Sequence, residues 1–204
     1  MMLLFLYFPE KNVENKEDNM KKCYWCLSNS LMEHYHDTEW GLPCHDDKKH
    51  FEFLVLEAAQ AGLSWLTVLK KRENYRKAFL NYDIKKISKF GDKEFLTLMS
   101  NAGIIRNRLK IQSAIHNASC FINVQKEFGS FDKYLWSFVN NKPIKNKFKK
   151  MSDLPPKTIL SDTISKDLKK RGFRFVGSTV IYAHLQAVGI TNDHLVSCFR
   201  YKEV

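Results

Sequence analysis

Glu57 is the residue whose setting most clearly asks for a chemical explanation. It lies within residues 50–62, where eight of thirteen residues are apolar. On a helix, its neighbours three and four positions away would be mostly apolar as well. A carboxylate in such surroundings is costly unless it is protonated, paired with a donor, or facing a pocket whose ligand supplies donors. The last of these would make Glu57 functional.

A tight corner follows Glu57 in the chain. Gly62 can end its helix and Ser64 can cap the next one, which leaves Leu63 at the corner and Trp65 one step beyond. The sequence therefore predicts an acid, an apolar tip and a large aromatic ring around one helix junction.

Cysteine and histidine residues near both ends of the sequence are candidate metal ligands. His194 and Cys198 are four positions apart, so a last short helix would place them on one face. Together with Cys23 and His36 they would complete a closed tetrahedral zinc site, which is structural because no position remains for water. Against this, buried cysteines and lone histidines are commoner as ordinary core residues.

The pair Cys23 and Cys26 is a rival arrangement for metal or thiol redox chemistry. The chain has five cysteines, an odd number without framework spacing. This favours a reducing, cytoplasmic compartment over a disulfide scaffold.

A glycine-bounded turn between two predicted helices, residues 162–171 and 178–188, is a candidate DNA contact. Gly172 and Gly177 allow close approach of another backbone, and free amides at Ser178 suit a phosphate. Lys170 and Arg174 would add charge neutralisation. Many helical hairpins turn on glycine without binding anything, so the alternative is a plain connection.

Residues 142–150 contain five lysines and lead into Pro155 and Pro156. The run predicts a loop or linker. Such runs are usually solvated faces, and phosphate contact is the less common alternative.

Hydrophobic periodicity predicts an all-α chain, because no segment shows sustained alternation. The predicted helices begin near Ser30 and near Asp46 or Asp47, and further ones cover residues 64–80, 83–90, 92–100, 106–124 and 131–139, followed by the two around the glycine turn.

Length and charge limit the possible functions. The chain of 204 residues is 44% apolar and carries a formal charge of +11, enough for a sizeable core and favourable to a polyanionic partner. Nucleic acid is preferred to a membrane, since no apolar span of about 20 residues occurs. A basic protein without such a partner is the alternative.

Residues 1–19 are predicted to be a disordered extension or an upstream start, and residues 20–204 one domain.

Seven motifs stand in a characteristic order: CYW, YHDTEWG, LEAAQAGLSWLTVLKKRENYR, AGIIRNRLKIQ, WSFV, SKDLKKRGFRFVGSTV and NDHLVSC. In this order, over about residues 20–200, the chain resembles the bacterial 3-methyladenine DNA glycosylase I family. The resemblance implies a helix-hairpin-helix fold with the hairpin at about 161–188, and base excision repair of double-stranded DNA. It implies base flipping, monofunctional hydrolysis of the N-glycosidic bond of 3-methyladenine, a monomer, and no nucleotide cofactor.

The resemblance also assigns roles to residues. It implies a catalytic part for Glu57 and Tyr35, and a structural Zn²⁺ that ties the chain ends together. The implied base-binding residues are Trp65, Trp25, Trp40 and Met32; the implied DNA contacts are Leu63, Gly172, Arg174, Gly177, Ser178 and Lys170; the implied zinc ligands are Cys23, His36, His194 and Cys198.

Three positions depart from the family pattern or stand beside it. Met32 occupies a place where the family has a tyrosine, so one hydroxyl is missing from the implied pocket, and Cys26 is not part of the zinc pattern. Asp193 lies near the place of a catalytic aspartate in more distant relatives, but capping the helix of His194 is the role we expect for it.

The implied substrate changes the catalytic problem. Methylation at N3 makes adenine cationic and a good leaving group, so Glu57 is expected to read the base rather than to act as a strong general acid, while the Trp65 face favours the cation. The rival hypothesis is a non-catalytic, zinc-stabilised DNA-binding protein in which Glu57 is a paired core residue.

Overall fold

Side-chain caps set the helix boundaries in residues 21–204, the part of the chain that the computed structural model describes. Asp46 accepts from the Lys48 amide, and Ser64 and Asn107 cap later helices in the same way. The prediction for residues 1–19 lies outside the described residues.

The described chain is mostly helical. The helices are α1 (Ser30–Thr38), α2 (Asp47–Gln60), α3 (Trp65–Leu69), α4 (Arg72–Ala78), α5 (Ile84–Ile87), α6 (Asp92–Ser100), α7 (Arg108–Phe128), α8 (Phe131–Ser137), α9 (Ile159–Lys170), α10 (Ser178–Ala187) and α11 (Arg200–Glu203). Short 3₁₀ turns occupy Tyr24–Cys26, Leu80–Tyr82 and Met151–Asp153. Within residues 21–204, none of the helices has the length and apolar character needed to cross a membrane.

Helix α2 lies at the centre of the molecule. Every residue from His50 to Ala59 is buried, and the helix packs against α3, α7, α8 and α10. A helix that is apolar on nearly all sides belongs in the interior. Glu57 is carried into the core on this helix, close to its end.

The all-α prediction misses one small feature. Ile144–Lys145 (β1) and Thr191–Asn192 (β2) form a two-stranded parallel pair. Strands of two residues are too short to produce a readable alternation, so the sequence pattern cannot reveal them.

Several predicted boundaries are wrong. The helix expected over residues 64–80 is divided into α3 and α4, and the hairpin's first helix begins at Ile159, capped by Thr158, rather than after Ser161. His194 and Cys198 lie in a loop between β2 and α11, not on one helix. At the start of α1, Asn29 supplies the cap instead of Ser30.

Gly189 allows the segment after α1 to cross the end of α10. Its φ is +69°, and an added Cβ would lie 2.3 Å from the Leu42 carbonyl carbon. The approach is held by main-chain bonds from the Cys44 amide to the Val188 carbonyl and from the Gly41 amide to the Gln186 carbonyl. The chain around α1 is therefore docked on α10 by backbone contacts.

Gly189→Ala is expected to lower the free energy of unfolding by about 3 kcal/mol or more, because it combines left-handed strain with backbone overlap. Gly62→Ala is the matched control: its φ is +80°, but nothing lies within 4 Å of an added Cβ. Its loss should be about 1–2 kcal/mol. Urea unfolding followed by circular dichroism measures both, and equal losses would contradict the close-packing argument.

Candidate active site and metal centre

The Glu57 carboxyl group is buried in the last turn of α2 with no hydrogen-bond donor. Its residue is 5% exposed, and among residues 21–204 no side chain or backbone N–H hydrogen-bonds to it. Burial raises the pKa of Glu57 to about 8. The group is therefore mostly protonated at neutral pH and is free to meet a ligand.

Aromatic side chains surround this end of α2. The Tyr35 ring from α1 lies 5.4 Å from the Trp65 ring at the start of α3, and 6.3 Å from the Trp25 ring. Burial and then the nearby Glu57 charge raise the pKa of Tyr35 well above its ordinary range, so its hydroxyl keeps its proton. Trp65 Nε1 is buried, and no acceptor for it lies within residues 21–204. A buried donor without a partner calls for an explanation, and a polar ligand held against Tyr35 and Trp65 would supply one.

Leu63 stands at the corner beside this group. Gly62 adopts a φ of +80°, and the Leu63 amide donates to the Gln60 carbonyl. The Leu63 side chain is 42% exposed. An apolar tip projects there from a constrained turn, as the sequence predicts. Met32 is buried on α1, one turn before Tyr35.

Trp40 is placed against the histidine pair. Its ring centroid lies 4.6 Å from that of His194 and 6.3 Å from that of His36. Its ring also meets Trp25 at 5.1 Å, edge to face. Trp40 therefore links the aromatic group to the cysteine–histidine cluster.

The four predicted metal ligands come together in the core. The ligand atoms of Cys23, His36, His194 and Cys198 all lie within 4.8 Å of one another, and all four residues are buried. Cys198 Sγ lies 3.4 Å from His36 Nε2 and 3.6 Å from His194 Nδ1. A loop, rather than the expected helix, brings His194 and Cys198 together at one site.

Neighbouring acceptors orient both imidazoles. His36 Nδ1 lies 2.7 Å from the Asp37 carboxylate, and His194 Nε2 lies 3.0 Å from the Trp40 carbonyl. Each ring thus has one nitrogen occupied and presents the other to the cluster, as ligating histidines do. Asp37 was missed at the sequence level, although it directly follows His36.

Cys26 is held outside the cluster. Its thiol donates to the Cys23 carbonyl at 3.0 Å, and burial raises its pKa to about 12. A thiol that stays protonated is a poor nucleophile. This arrangement weighs against the redox alternative for Cys23 and Cys26.

The glycine turn between α9 and α10 is held by buried polar side chains. Asn117 on α7 bonds the Arg174 backbone twice, accepting from its amide and donating to its carbonyl, each at 2.9 Å. Ser165 donates to the Val176 carbonyl. Gly172 has a φ of +91°, and Gly177 is the N-cap of α10. Asn117 was missed because no local pattern links it to a turn 57 residues away.

The two cationic side chains predicted at the turn are exposed and form no ion pair within the described chain. Lys170 and Arg174 are exposed, and within the described chain neither lies within 4 Å of a carboxylate. Ser178 is the first residue of α10. The turn therefore presents unneutralised positive charge beside a helix start.

Asp193 does not cap a helix, so that prediction is wrong. It is buried, and its two oxygens accept from Asn146, Tyr182 and Gln186. Through these bonds Asp193 connects α10 to the loop before α9.

A second polar group missed at the sequence level supports the aromatic side chains. Arg72 forms a bidentate pair with Glu39 and a bond to Glu52 at 2.8 Å, and its guanidinium lies 5.4 Å from the Phe53 ring. Phe53 in turn lies 6.4 Å from Tyr35. The network therefore holds the Phe53 ring in place next to Tyr35.

Comparisons with known proteins agree in one family. The methyladenine glycosylase family model matches residues 25–201. DNA-3-methyladenine glycosylase 1 of Escherichia coli is 46% identical over 182 residues, 89% of this chain and 97% of the relative. A crystal structure of 3-methyladenine DNA glycosylase I is 44% identical with a TM-score of 0.85, covering 88% of this chain and 98% of the other.

A further solved structure concerns 3-methyladenine recognition by 3-methyladenine DNA glycosylase I of Staphylococcus aureus. It is 35% identical, with a TM-score of 0.85 over 88% of this chain and 96% of the other. The similarity therefore extends over nearly all of the described fold.

Glu57→Gln is expected to stabilise the protein at pH 8 by about 2–4 kcal/mol. Unfolding lets Glu57 ionise, so between its ordinary pKa near 4.5 and the folded value of about 8 the wild type loses stability as pH rises. Glutamine removes this loss, and the two proteins should be similar at about pH 4.5. Urea unfolding across this range measures the difference. The control Glu73→Gln changes an exposed side chain, so its free energy of unfolding should vary with pH as that of the wild type does. If the free energy of unfolding of Glu57→Gln also varied with pH in parallel with the wild type, the burial argument would be refuted.

Proposed function

The chain belongs to the methyladenine glycosylase family and hydrolyses the N-glycosyl bond of 3-methyladenine in DNA base excision repair, and we propose that Glu57, Tyr35 and Trp65 form its base pocket. One observation supports the placement above the others: within residues 21–204 the Glu57 carboxyl has no donor and the Trp65 N–H has no acceptor, and Tyr35 links the two, since the Glu57 charge acts on its hydroxyl and its ring lies 5.4 Å from that of Trp65. Both are buried groups that a polar base would complete.

Charge is the basis of selection in this proposal. A carboxyl with a pKa of about 8 is neutral in the empty pocket but close to ionising. A 3-methyladenine that is still attached to its sugar is cationic, and an adjacent cation lowers the pKa of a carboxyl group. The incoming lesion thus converts Glu57 to a carboxylate that accepts from the exocyclic amine. Neutral adenine offers no such charge and leaves the acid protonated.

The aromatic side chains favour the same cation. The electron-rich face of Trp65 adds about 0.5–2 kcal/mol to its binding. Tyr35 keeps its hydroxyl proton and can donate to the base edge or to the ionised Glu57. Trp25, Trp40 and Met32 complete the apolar surroundings in this proposal, Trp40 acting from its place against the histidines.

Hydrolysis then needs little acid catalysis. As the bond between the sugar carbon and N9 breaks, its electron pair neutralises the charge on the base. Water forms the new bond to the sugar carbon and gives up a proton, leaving an abasic site and neutral 3-methyladenine. Loss of the positive charge favours reprotonation of Glu57. We expect monofunctional action without strand cleavage.

DNA must deliver the nucleotide to this pocket. We propose that Leu63 is the apolar wedge that fills the vacated position in double-stranded DNA, and that α9, the glycine turn and α10 form a helix-hairpin-helix anchor. Gly172, Gly177 and Ser178 provide the backbone approach, while Lys170 and Arg174 contact phosphate. The protein is proposed to act as a monomer.

Zinc is the metal we propose for the cysteine–histidine cluster. Two thiols and two imidazoles, each imidazole with its outer nitrogen occupied, are a donor set that Zn²⁺ prefers. Cys23, His36, His194 and Cys198 would hold it. A closed set of four ligands supplies no reactive position, so the metal would serve the fold.

Glu57→Gln is expected to slow release of 3-methyladenine from methylated duplex DNA about 10- to 100-fold, which corresponds to removal of one charged hydrogen bond. Single-turnover assays of the released base measure it, with Glu73→Gln as the control that should retain the full rate. A folded Glu57→Gln protein with the wild-type rate would show that Glu57 is only a core residue. Release of no 3-methyladenine by the wild type would overturn the function itself.

Cys198→Ala is expected to abolish stoichiometric zinc binding and to lower the thermal midpoint. Cys26→Ala is the matched control, because Cys26 is buried next to the cluster but its thiol bonds a carbonyl. It should retain one zinc per chain. Metal analysis after dialysis distinguishes the two variants, and one retained zinc in Cys198→Ala would place the ligands elsewhere.

A further inference from the structure

The lysine loop, residues 142–150, is the strongest charged feature that the base pocket and the glycine turn do not use. It contains five lysines and no acidic residue, and all five lysines are exposed. It leads from α8 towards α9 and contains β1. A charge run of this kind has a function only if its position is defined, so its anchoring is the first question.

The backbone of the lysine loop is fixed along its length. The Ile144 amide donates to the Ile190 carbonyl at 2.8 Å, and the Asn146 amide to the Asn192 carbonyl at 3.1 Å. The Phe148 carbonyl accepts from the Val196 amide at 2.9 Å. Three main-chain bonds thus attach the loop to the segment that carries His194, and the lysines project from an ordered scaffold.

Asp193 connects this scaffold to α10. One of its oxygens accepts from Asn146 of the loop at 2.6 Å, and the other accepts from Tyr182 and from Gln186 at 2.8 Å. Tyr182 and Gln186 lie four and eight residues after Ser178, or about 6 and 12 Å along the helix axis. The lysine loop is therefore fastened to the same helix whose start belongs to the glycine turn.

Most of the loop's charges are not neutralised by the protein. Within the described chain, no carboxylate lies within 4 Å of the side-chain ammonium of Lys142, Lys147, Lys149 or Lys150. Lys145 differs, because its ammonium donates to the Val204 carbonyl and lies 4.9 Å from the Tyr201 ring centroid. Four unpaired cations on a fixed backbone suit a repeating anion.

We propose that residues 142–150 form a second phosphate-binding surface, which extends the duplex contact beyond the glycine turn. Duplex DNA carries one negative charge per about 1.7 Å of axis, so a duplex held at the turn offers further phosphates to a surface attached to the same helix. The inference rests on the proposed function, since it takes damaged or intact duplex DNA as the partner.

The test compares two triple variants with the same change of charge. Lys147, Lys149 and Lys150 are replaced by glutamine in one variant; Lys85, Lys89 and Lys93 are replaced in the other. The control lysines are exposed and also have no carboxylate within 4 Å in the described chain, but they belong to the α5–α6 segment, which packs on α7. Affinity for an undamaged duplex is measured by fluorescence anisotropy from about 50 to 200 mM salt.

The loop variant is expected to bind duplex DNA about 100-fold more weakly near 100 mM salt, and its slope of log affinity against log salt should be smaller by about 2–3, or roughly 0.9 for each phosphate that is no longer neutralised. The control should keep both values close to wild type. Equal weakening in the two variants, or none in the loop variant, would overturn the inference.

Binding of free 3-methyladenine separates this inference from the proposed function. The loop variant should bind the free base as the wild type does, because the lysines lie outside the pocket. A loop variant that loses free-base binding along with DNA affinity would show a general folding defect and contradict the assignment. If wild type neither binds duplex DNA nor releases 3-methyladenine, the proposed function fails and the inference fails with it.

Discussion

The central constraint on this structure is a carboxyl group kept in the core without a donor. Burying Glu57 lowers the free energy of unfolding at neutral pH. The residue lies on α2, the helix at the centre of the core. The surrounding elements make sense as supports for that group. Helix α1 brings Tyr35 near it, α3 places the Trp65 ring 5.4 Å from that of Tyr35, and Arg72 bonds Glu39 beside these rings. In the proposed function, stability is given up at the residue that recognises the base.

The cysteine–histidine cluster is connected to the same site through α1. Tyr35 and His36 are consecutive, so their side chains leave the helix about 100° apart. Fixing the His36 ring therefore also fixes the direction in which Tyr35 points. The Trp40 carbonyl accepts from His194, and the Trp40 ring meets Trp25. A metal held by the cluster, as proposed, would in this way determine the shape of the proposed base pocket without taking part in the chemistry.

Sequence reasoning succeeded where the signal is local. The helix start at Asp46 or Asp47, the corner at Leu63 and the apolar surroundings of Glu57 could all be predicted from neighbouring residues. It failed where the decisive partner is distant, as with the Asn117 bonds to the glycine turn. The loop carrying His194 and Cys198 was misread for a related reason: a spacing of four fits a helix, whereas the observed path depends on pairing with β1.

The carbon resonance of the Glu57 carboxyl reports its protonation state. Its pH titration would be followed by NMR in the free protein and with 3,9-dimethyladeninium, a methylated base that stays cationic because a methyl group replaces the sugar. We expect a pKa of about 8 without the cation and a fall towards the ordinary range when the cation is bound. A pKa near 4.5 in the free protein, unmoved by the cation, would contradict it.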